Sequence, residues 1–138
     1  MLILKNNIKV GDYARNKYGI GKILEVNEHG KLIELIFDRF TMPIVNINGE
    51  VVGQMSNKFI INTDYEPEDF KFSSNIIDLI EVGDIIRYTE DGIVADVRGK
   101  TGEKYINTFE DDFIGKENIY SIITKEQMET MEYKIERL

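Results

Sequence analysis

The feature that most constrains the fold is a short motif that occurs twice. Residues 8–15 read IKVGDYAR and residues 80–87 read IEVGDIIR. The match continues with one extra residue in the second copy, because Gly19-Ile20 falls opposite Gly92-Ile93 and each pair opens an apolar run. Two copies are too few for a solenoid, which needs at least three. The motif therefore predicts two related units within one chain.

Each copy of the motif is typical of the start of a small β-barrel. Val-Gly-Asp favours a turn, because glycine accepts a positive φ and aspartate bonds to nearby backbone N–H groups. A strand that carries the arginine follows, and a second glycine turn reverses the chain. SH3-like and Tudor-like barrels begin in this way. We predict a mainly β protein with two related SH3-like or Tudor-like small barrels or half-barrels and a short C-terminal helix.

Alternation of apolar residues and turn signals predict the remaining elements of the first unit. Asn48-Gly49 is the strongest hairpin signal in the chain. Strands are expected at residues 20–26, 31–37, 43–47, 51–55 and 58–62. Acidic residues and a proline then break the pattern over 63–74. The predicted domains are an N-terminal β lobe over 1–62, an acidic connector over 63–74 and a C-terminal β lobe over 75–138.

The second unit is predicted to end in a short helix. Thr124-Lys125-Glu126-Gln127 has the form of a capping box, in which the threonine and glutamine side chains bond to each other's backbone N–H. The helix is expected over 125–131, and the alternation over 131–135 predicts a closing edge strand. Before it we expect a helical turn over 76–80 and strands at 85–88, 93–98, 103–109 and 119–123, with 99–102 as a turn.

Two segments carry a resemblance to a known family. They are NIIDLIEVGD at 75–84 and IYSIITKEQMETMEYKI at 119–135. These segments resemble small proteins encoded by phages and prophages of clostridia and related low-GC Gram-positive bacteria. In the N-terminal half only VGDYARNKYGI takes part. The resemblance carries over no functional residues, and it implies a phage-encoded accessory protein inside the host bacterial cell.

Composition excludes several classes of function. The 138 residues include no Cys and one His, which excludes disulfides, thiolate catalysis, zinc fingers and iron–sulfur clusters. His29 lies in a predicted turn with no serine or aspartate placed to complete a triad. The acidic runs lack the ligand spacing of an EF-hand, and no glycine-rich phosphate loop occurs. We expect no enzyme activity, no catalytic residue, no metal and no cofactor.

The hydrophobic pattern also bears on location. No apolar run approaches the length of a membrane span, and residues 1–10 lack the apolar core and cleavage site of a signal peptide. We therefore expect no membrane partner and a cytoplasmic location in the host cell.

Charge is distributed unevenly along the chain. The net charge is −8, and residues 1–62 carry +2 while residues 63–138 carry −10. Binding to duplex nucleic acid depends on cations that displace counterions, so this balance argues against it. The acidic half is compatible with solubility alone, with a basic host protein as partner, or with imitation of a nucleic-acid backbone.

Interleaved aromatic and cationic residues are the candidate ligand-binding set. In such a set an arginine holds a phosphate and a tyrosine stacks on a base. The alternative is that the tyrosines are half-buried strand residues and the cations balance acidic neighbours. The candidates are Tyr13, Arg15, Lys17, Tyr18, Arg87, Tyr88, Arg98, Lys100, Lys104 and Tyr105.

Three functions remain open from the sequence. The first is a counter-defence binding protein that sequesters a small anionic nucleotide used as an immune signal. The second is an acidic inhibitor of a nucleic-acid-binding host effector, which acts like an anti-CRISPR mimic. The third is a structural or assembly accessory of a phage. About 60 residues per half is marginal for independent stability, so a homo-oligomer is also expected.

Overall fold

The structure is a computed structural model. It describes residues 8–38, 40, 43–54, 57–62, 64, 70–88, 92–108, 113–131, 133 and 135–136. The chain divides into two compact units, Met1–Asn75 and Ile76–Leu138. Within the described residues there are thirteen strands and one short α-helix, so the prediction of a mainly β protein with a short C-terminal helix is confirmed.

Unit 1 is built on a five-stranded antiparallel sheet. The strand order is β6-β3-β2-β1-β7. The first four form an antiparallel meander, and β7 pairs with β1 at the edge of the sheet. A separate hairpin, β4–β5, is inserted between β3 and β6. The strands are β1 (Tyr13–Asn16), β2 (Gly19–His29), β3 (Leu32–Phe37), β4 (Pro43–Val45), β5 (Val51–Gln54), β6 (Lys58–Asn62) and β7 (Lys71–Ser73).

The core of unit 1 follows from the two-residue period of its strands. In β3 the alternation buries Ile33, Leu35 and Phe37 on one face. Phe37 lies in an aromatic cluster with its ring centroid 4.6 Å from Phe40 and 5.8 Å from Phe70. This aromatic cluster covers the inner face of the sheet. Burial of that face explains the alternation of apolar residues over 31–37.

Unit 2 repeats the same strand order with shorter strands. It has two three-stranded sheets, in the orders β10-β11-β12 and β13-β8-β9. In the order of strands along the chain, β9 and β10 correspond to the long strand β2 of unit 1. The strands are β8 (Ile85–Arg87), β9 (Val94–Asp96), β10 (Gly99–Thr101), β11 (Tyr105–Asn107), β12 (Phe113–Gly115) and β13 (Ser121–Ile123). The order β12-β11-β10/β9-β8-β13 matches that of unit 1, so the sequence repeat is a repeat of the fold. No sheet closes into a barrel within the described ranges.

The first copy of the motif forms a hydrogen-bonded turn onto the second strand. Gly11 has φ of 95°, and its N–H donates to the Ile23 carbonyl at 2.9 Å. The Ile23 N–H donates back to the Asp12 carbonyl at 2.8 Å. Asp12 Oδ2 accepts from the Lys9 N–H at 3.2 Å. The Val-Gly-Asp sequence therefore fixes where β1 and β2 begin to pair.

The second copy forms the same turn and adds one contact. Gly83 has φ of 99° and donates to the Val97 carbonyl at 3.0 Å, and the Val97 N–H returns to the Asp84 carbonyl at 2.8 Å. Asp84 Oδ2 accepts from the Glu81 N–H at 2.8 Å. Its other oxygen, Oδ1, accepts from the Lys125 N–H at 3.0 Å. Buried Asp84 therefore ties the turn to the first residue of the C-terminal helix.

The C-terminal helix α1 (Lys125–Met131) begins at the predicted capping box. The Gln127 N–H donates to Thr124 Oγ1 at 3.2 Å, and the Thr124 N–H donates to Gln127 Oε1 at 2.9 Å. Both bonds satisfy N–H groups that the first turn of a helix leaves open. The predicted helix over 125–131 is confirmed.

Several predicted boundaries differ from the structure. The connector expected over 63–74 ends in β7, which pairs with β1, while residues 63 and 65–69 lie outside the described residues. Within the expected turn at 99–102, residues 99–101 form strand β10, and the observed turn spans 102–104. Of the expected closing strand at 131–135, residues 132 and 134 lie outside the described part, and Tyr133 and Ile135 belong to no strand. Among the described helices, none combines the length and apolar character needed to cross a bilayer.

Candidate functional site

The candidate site is one face of the three-stranded sheet β10–β11–β12. Its register sets residues opposite one another in two rows across the strands: Thr101, Tyr105 and Gly115 in one row, and Gly99, Asn107 and Phe113 in the other. Side chains directly opposite one another in an antiparallel sheet share a face. These six residues therefore form a single surface, which we call the aromatic face.

The other face of this sheet belongs to the core of unit 2. Its row across the strands is Lys100, Ile106 and Ile114, and both isoleucines are buried. Lys100 is exposed, and its Nζ donates to the Asp78 carbonyl at 3.3 Å. Since successive residues of a strand alternate between faces, burial of the isoleucines directs the aromatic face outward.

Two exposed rings dominate the aromatic face. Phe113 is 62% exposed and Tyr105 is 40% exposed. Their centroids are 5.9 Å apart with an interplanar angle of 79°, an edge-on arrangement. Each ring is thus held by the other, while a large part of its surface remains open to solvent. An exposed pair of aromatic side chains on the face of a sheet can receive a planar or cationic group.

Polar groups and an open position lie beside Phe113. The Thr101 hydroxyl donates to Asn107 Oδ1 at 2.7 Å, which orients the carboxamide next to the ring opposite it. Gly99 lies across from Asn107 on the other side, and a methyl group built on it would meet nothing within 4 Å. The space beside Asn107 on this side is therefore open.

Charges of both signs border the aromatic face at one end. Since Tyr105 lies opposite Gly115, the register brings exposed Lys104 and Lys116 to the same end of the β11–β12 pair. A methyl group built on Gly115 would lie 2.5 Å from Glu117 Oε1, so this carboxylate stands over the glycine on the aromatic face. The Glu117 carboxylate is thus part of the site.

The first group of predicted ligand residues lies in unit 1 and is engaged within the chain. Arg15 is only 2% exposed, so its guanidinium is not a surface group for a ligand. Tyr13 and Tyr18 are half-buried, and exposed Lys17 has its Nζ 5.2 Å from the Tyr18 ring centroid. For the tyrosines this agrees with the alternative that they are half-buried strand and turn residues.

The second group lies in unit 2 and is dispersed. Exposed Arg98 pairs with Asp96 at 2.7 Å between Nε and Oδ2. Arg87 is exposed on the other sheet of the unit, and Tyr88 beside it is half-buried. Lys100, as described above, is on the face opposite the aromatic one. Of the ten predicted residues, Tyr105 is the one that the register places on the aromatic face, and exposed Lys104 precedes it in the turn at 102–104.

Phe113, Asn107 and Glu117 were not predicted from the sequence as site residues. Phe113 follows an acidic run and belongs to a strand of three residues, too short to show a two-residue alternation. A signal was nonetheless present, because Gly102 in the turn after β10 predicts a hairpin that sets Tyr105 across from Thr101, and pairing β11 with the next strand then sets Tyr105 across from Gly115. Pairing the strands first would have identified Phe113.

Comparison with known proteins identifies no family for this chain. No protein-family model, no curated protein and no solved structure matches the chain. In the part of the chain that the structure describes, no group of three or more His, Cys, Asp or Glu residues is arranged to hold a metal ion. His29, at the end of β2, is exposed.

Proposed function

We propose that this chain is a non-enzymatic, phage-encoded accessory protein that binds a basic surface of a host protein through the aromatic face. A basic surface of this kind is what a nucleic-acid-binding effector presents, so the proposal corresponds to the acidic-inhibitor hypothesis. The observation that carries it is the exposed Tyr105–Phe113 pair on a strongly acidic unit.

The chemistry of the aromatic face supports a cationic ligand. A guanidinium or ammonium group within about 6 Å of an aromatic centroid is attracted by the negative face of the ring. Glu117 adds a carboxylate over Gly115, next to Tyr105, that can pair with the same cation. Asn107 supplies a carboxamide for hydrogen bonds to the peptide that carries the cation. An arginine fits best, because it is planar and stacks on rings.

The charge of unit 2 supports the same conclusion. Residues 76–138 contain fifteen acidic and eight basic side chains, a net charge of −7, while residues 1–75 carry −1. A field of this sign attracts a basic partner from a distance and repels nucleic acid. Capture of the nucleic-acid-binding surface of an effector therefore follows from charge at long range and from ring contacts at short range.

A small anionic nucleotide is the second candidate. Lys104 and Lys116 at the rim of the aromatic face are the observation that favours it, since they can meet a phosphate while a ring stacks on the base. It ranks lower because Arg15 is buried, Arg98 is paired with Asp96 and Lys100 is on the opposite face. Three of the cations on which that hypothesis depended are therefore not at this site.

Phe113→Ala is expected to weaken binding of an arginine-rich peptide about 2- to 5-fold, the range of one exposed cation–π contact. The probe is a fluorescein-labelled peptide of alternating arginine and glycine, and the measurement is fluorescence anisotropy of the full-length chain. Tyr120→Ala is the matched control, because Tyr120 is an aromatic residue of unit 2 with 56% exposure that lies outside the aromatic face. It should change the affinity less than 2-fold.

The same two variants separate the candidate functions. No loss in either variant would mean that the peptide binds by charge alone, and equal losses in both would mean that exposed rings of unit 2 bind it without selectivity. In both cases the aromatic face would have no specific role. A thermal shift with free nucleotides that disappears in Phe113→Ala and in Lys104→Ala would favour the nucleotide candidate instead. If neither probe binds, both candidates fail and an assembly accessory is the hypothesis that is left.

A further inference from the structure

We propose that Glu117 is the residue that selects arginine over lysine at the aromatic face, and that Gly115 is the residue that gives its carboxylate a place there. The inference rests on the function proposed above, since it concerns which basic group the same surface accepts. Gly115 ends strand β12, and Glu117 follows it by two residues.

The chain turns back directly after β12. Residues Lys116–Asn118 form one turn of 3₁₀-helix, in which the Ile119 N–H donates to the Lys116 carbonyl at 3.2 Å. The turn brings the Glu117 side chain back over the end of the strand, since a methyl group built on Gly115 would lie 2.5 Å from Glu117 Oε1 and 3.1 Å from Oε2. Both carboxylate oxygens therefore lie where a side chain of residue 115 would be.

Glycine at position 115 makes room for this carboxylate. The backbone of Gly115 is extended, with φ of −82° and ψ of 164°, so its conformation does not require glycine. The space requires it, because a side chain would overlap the Glu117 carboxylate. Gly115 is buried and Glu117 is exposed, so the carboxylate covers the glycine and still faces solvent. An alanine at position 115 should therefore move the carboxylate without straining the backbone.

The Glu117 carboxylate is available to a ligand. Within the part of the chain that the structure describes, it makes no hydrogen bond and no ion pair, and Lys104 and Lys116 at the same end of the sheet do not pair with it. Tyr105 lies directly opposite Gly115. Side chains in such positions have Cβ atoms about 5 Å apart. The free carboxylate is thus beside one of the two exposed rings.

A carboxylate beside an aromatic ring distinguishes the two basic side chains. A guanidinium is planar, so it can stack on a ring and also donate two parallel hydrogen bonds to a carboxylate. The ammonium group of lysine is a compact, strongly hydrated charge without that fork of donors. A ring by itself attracts either cation. The pairing of Glu117 with the rings therefore favours a partner surface rich in arginine over one rich in lysine.

The relative affinity for two peptides of equal charge measures this selection. The probes are the labelled arginine–glycine peptide and a lysine–glycine peptide of the same length, and the ratio of their dissociation constants is measured on the full-length chain. Glu117→Gln is expected to weaken binding of the arginine peptide about 2- to 5-fold, the range of an exposed ion pair, and of the lysine peptide less than about 2-fold. Partial loss of folding weakens both peptides alike and cancels in the ratio.

Gly115→Ala separates the position of the carboxylate from its charge. This variant keeps the acidic group, but its methyl group displaces the carboxylate, so the preference for arginine should fall as it does in Glu117→Gln. Glu129→Gln is the matched control, because Glu129 is an exposed acidic residue of helix α1 outside the aromatic face. It removes the same charge and should keep the ratio of the wild type.

The outcomes separate this inference from the proposed function. Equal affinity of the wild type for the two peptides, with the dependence on Phe113 intact, overturns the inference and leaves the proposed function standing. A preference for arginine that survives in Glu117→Gln or in Gly115→Ala also overturns it. Binding of neither peptide contradicts the proposed function and the inference together.

Discussion

Asp84→Ala is expected to lower the free energy of unfolding by about 2 to 4 kcal/mol, because it removes two charge-assisted hydrogen bonds from a buried site. The Asp84 carboxylate accepts from the Glu81 N–H at 2.8 Å and from the Lys125 N–H at 3.0 Å. Alanine leaves both donors without this acceptor at a position where the Asp84 side chain is fully buried. The turn before β8 and the start of helix α1 should loosen together.

Asp12→Ala is the matched control, since Asp12 has the same position in the first copy of the motif. Its carboxylate accepts from the Lys9 N–H at 3.2 Å, and the residue is half-buried. The expected loss is about 1 kcal/mol. Urea unfolding followed through the backbone amide signals in NMR reports each unit separately. Equal losses in the two variants would show that the link from Asp84 to the helix contributes nothing.

Phe37→Ala is expected to cost about 3 to 5 kcal/mol, the range for truncation of a buried phenylalanine. Phe37 is fully buried, and its ring lies 4.6 Å from Phe40, 5.7 Å from Phe59 and 5.8 Å from Phe70 between centroids. The alanine leaves a cavity that three other rings line, and a close-packed core relaxes only partly to fill it.

Ile60→Ala serves as the control for Phe37→Ala, because Ile60 lies in β6 of the same sheet with its side chain mostly exposed. Urea denaturation monitored by circular dichroism should show the phenylalanine variant unfolding at a far lower concentration, with Ile60→Ala within about 1 kcal/mol of the wild type. Similar midpoints for the two variants would contradict the packing of unit 1 around Phe37.

Local signals in the sequence predicted the elements that local hydrogen bonds create. The Val-Gly-Asp turns, the Asn48-Gly49 hairpin and the Thr124–Gln127 capping box each depend on residues within a few positions, and each forms as expected. The strand over 31–37 was also predicted, because one buried face imposes a regular alternation. The fold class followed from these elements together.

The candidate site was predicted less well, because it depends on which side chains share a face. Arg15 and Arg87 occupy the same position in the motif, yet Arg15 is buried and Arg87 is exposed. The sequence of the motif does not encode that difference. Lys100 and Tyr105 are close along the chain, whereas the pleat of the sheet separates them onto opposite faces. The face of the sheet on which each side chain lies follows only from the strand register.

The central claim is that the aromatic face of unit 2 is a binding surface for basic groups, and an NMR titration tests it most directly. The full-length chain, labelled with nitrogen-15, is titrated with the arginine–glycine peptide at moderate salt, where general charge attraction is partly screened. Shift changes that concentrate on the amides of Thr101, Tyr105, Asn107 and Phe113 are the predicted result. Changes that bypass these four residues, or that follow the acidic residues of the chain in general, would contradict the claim.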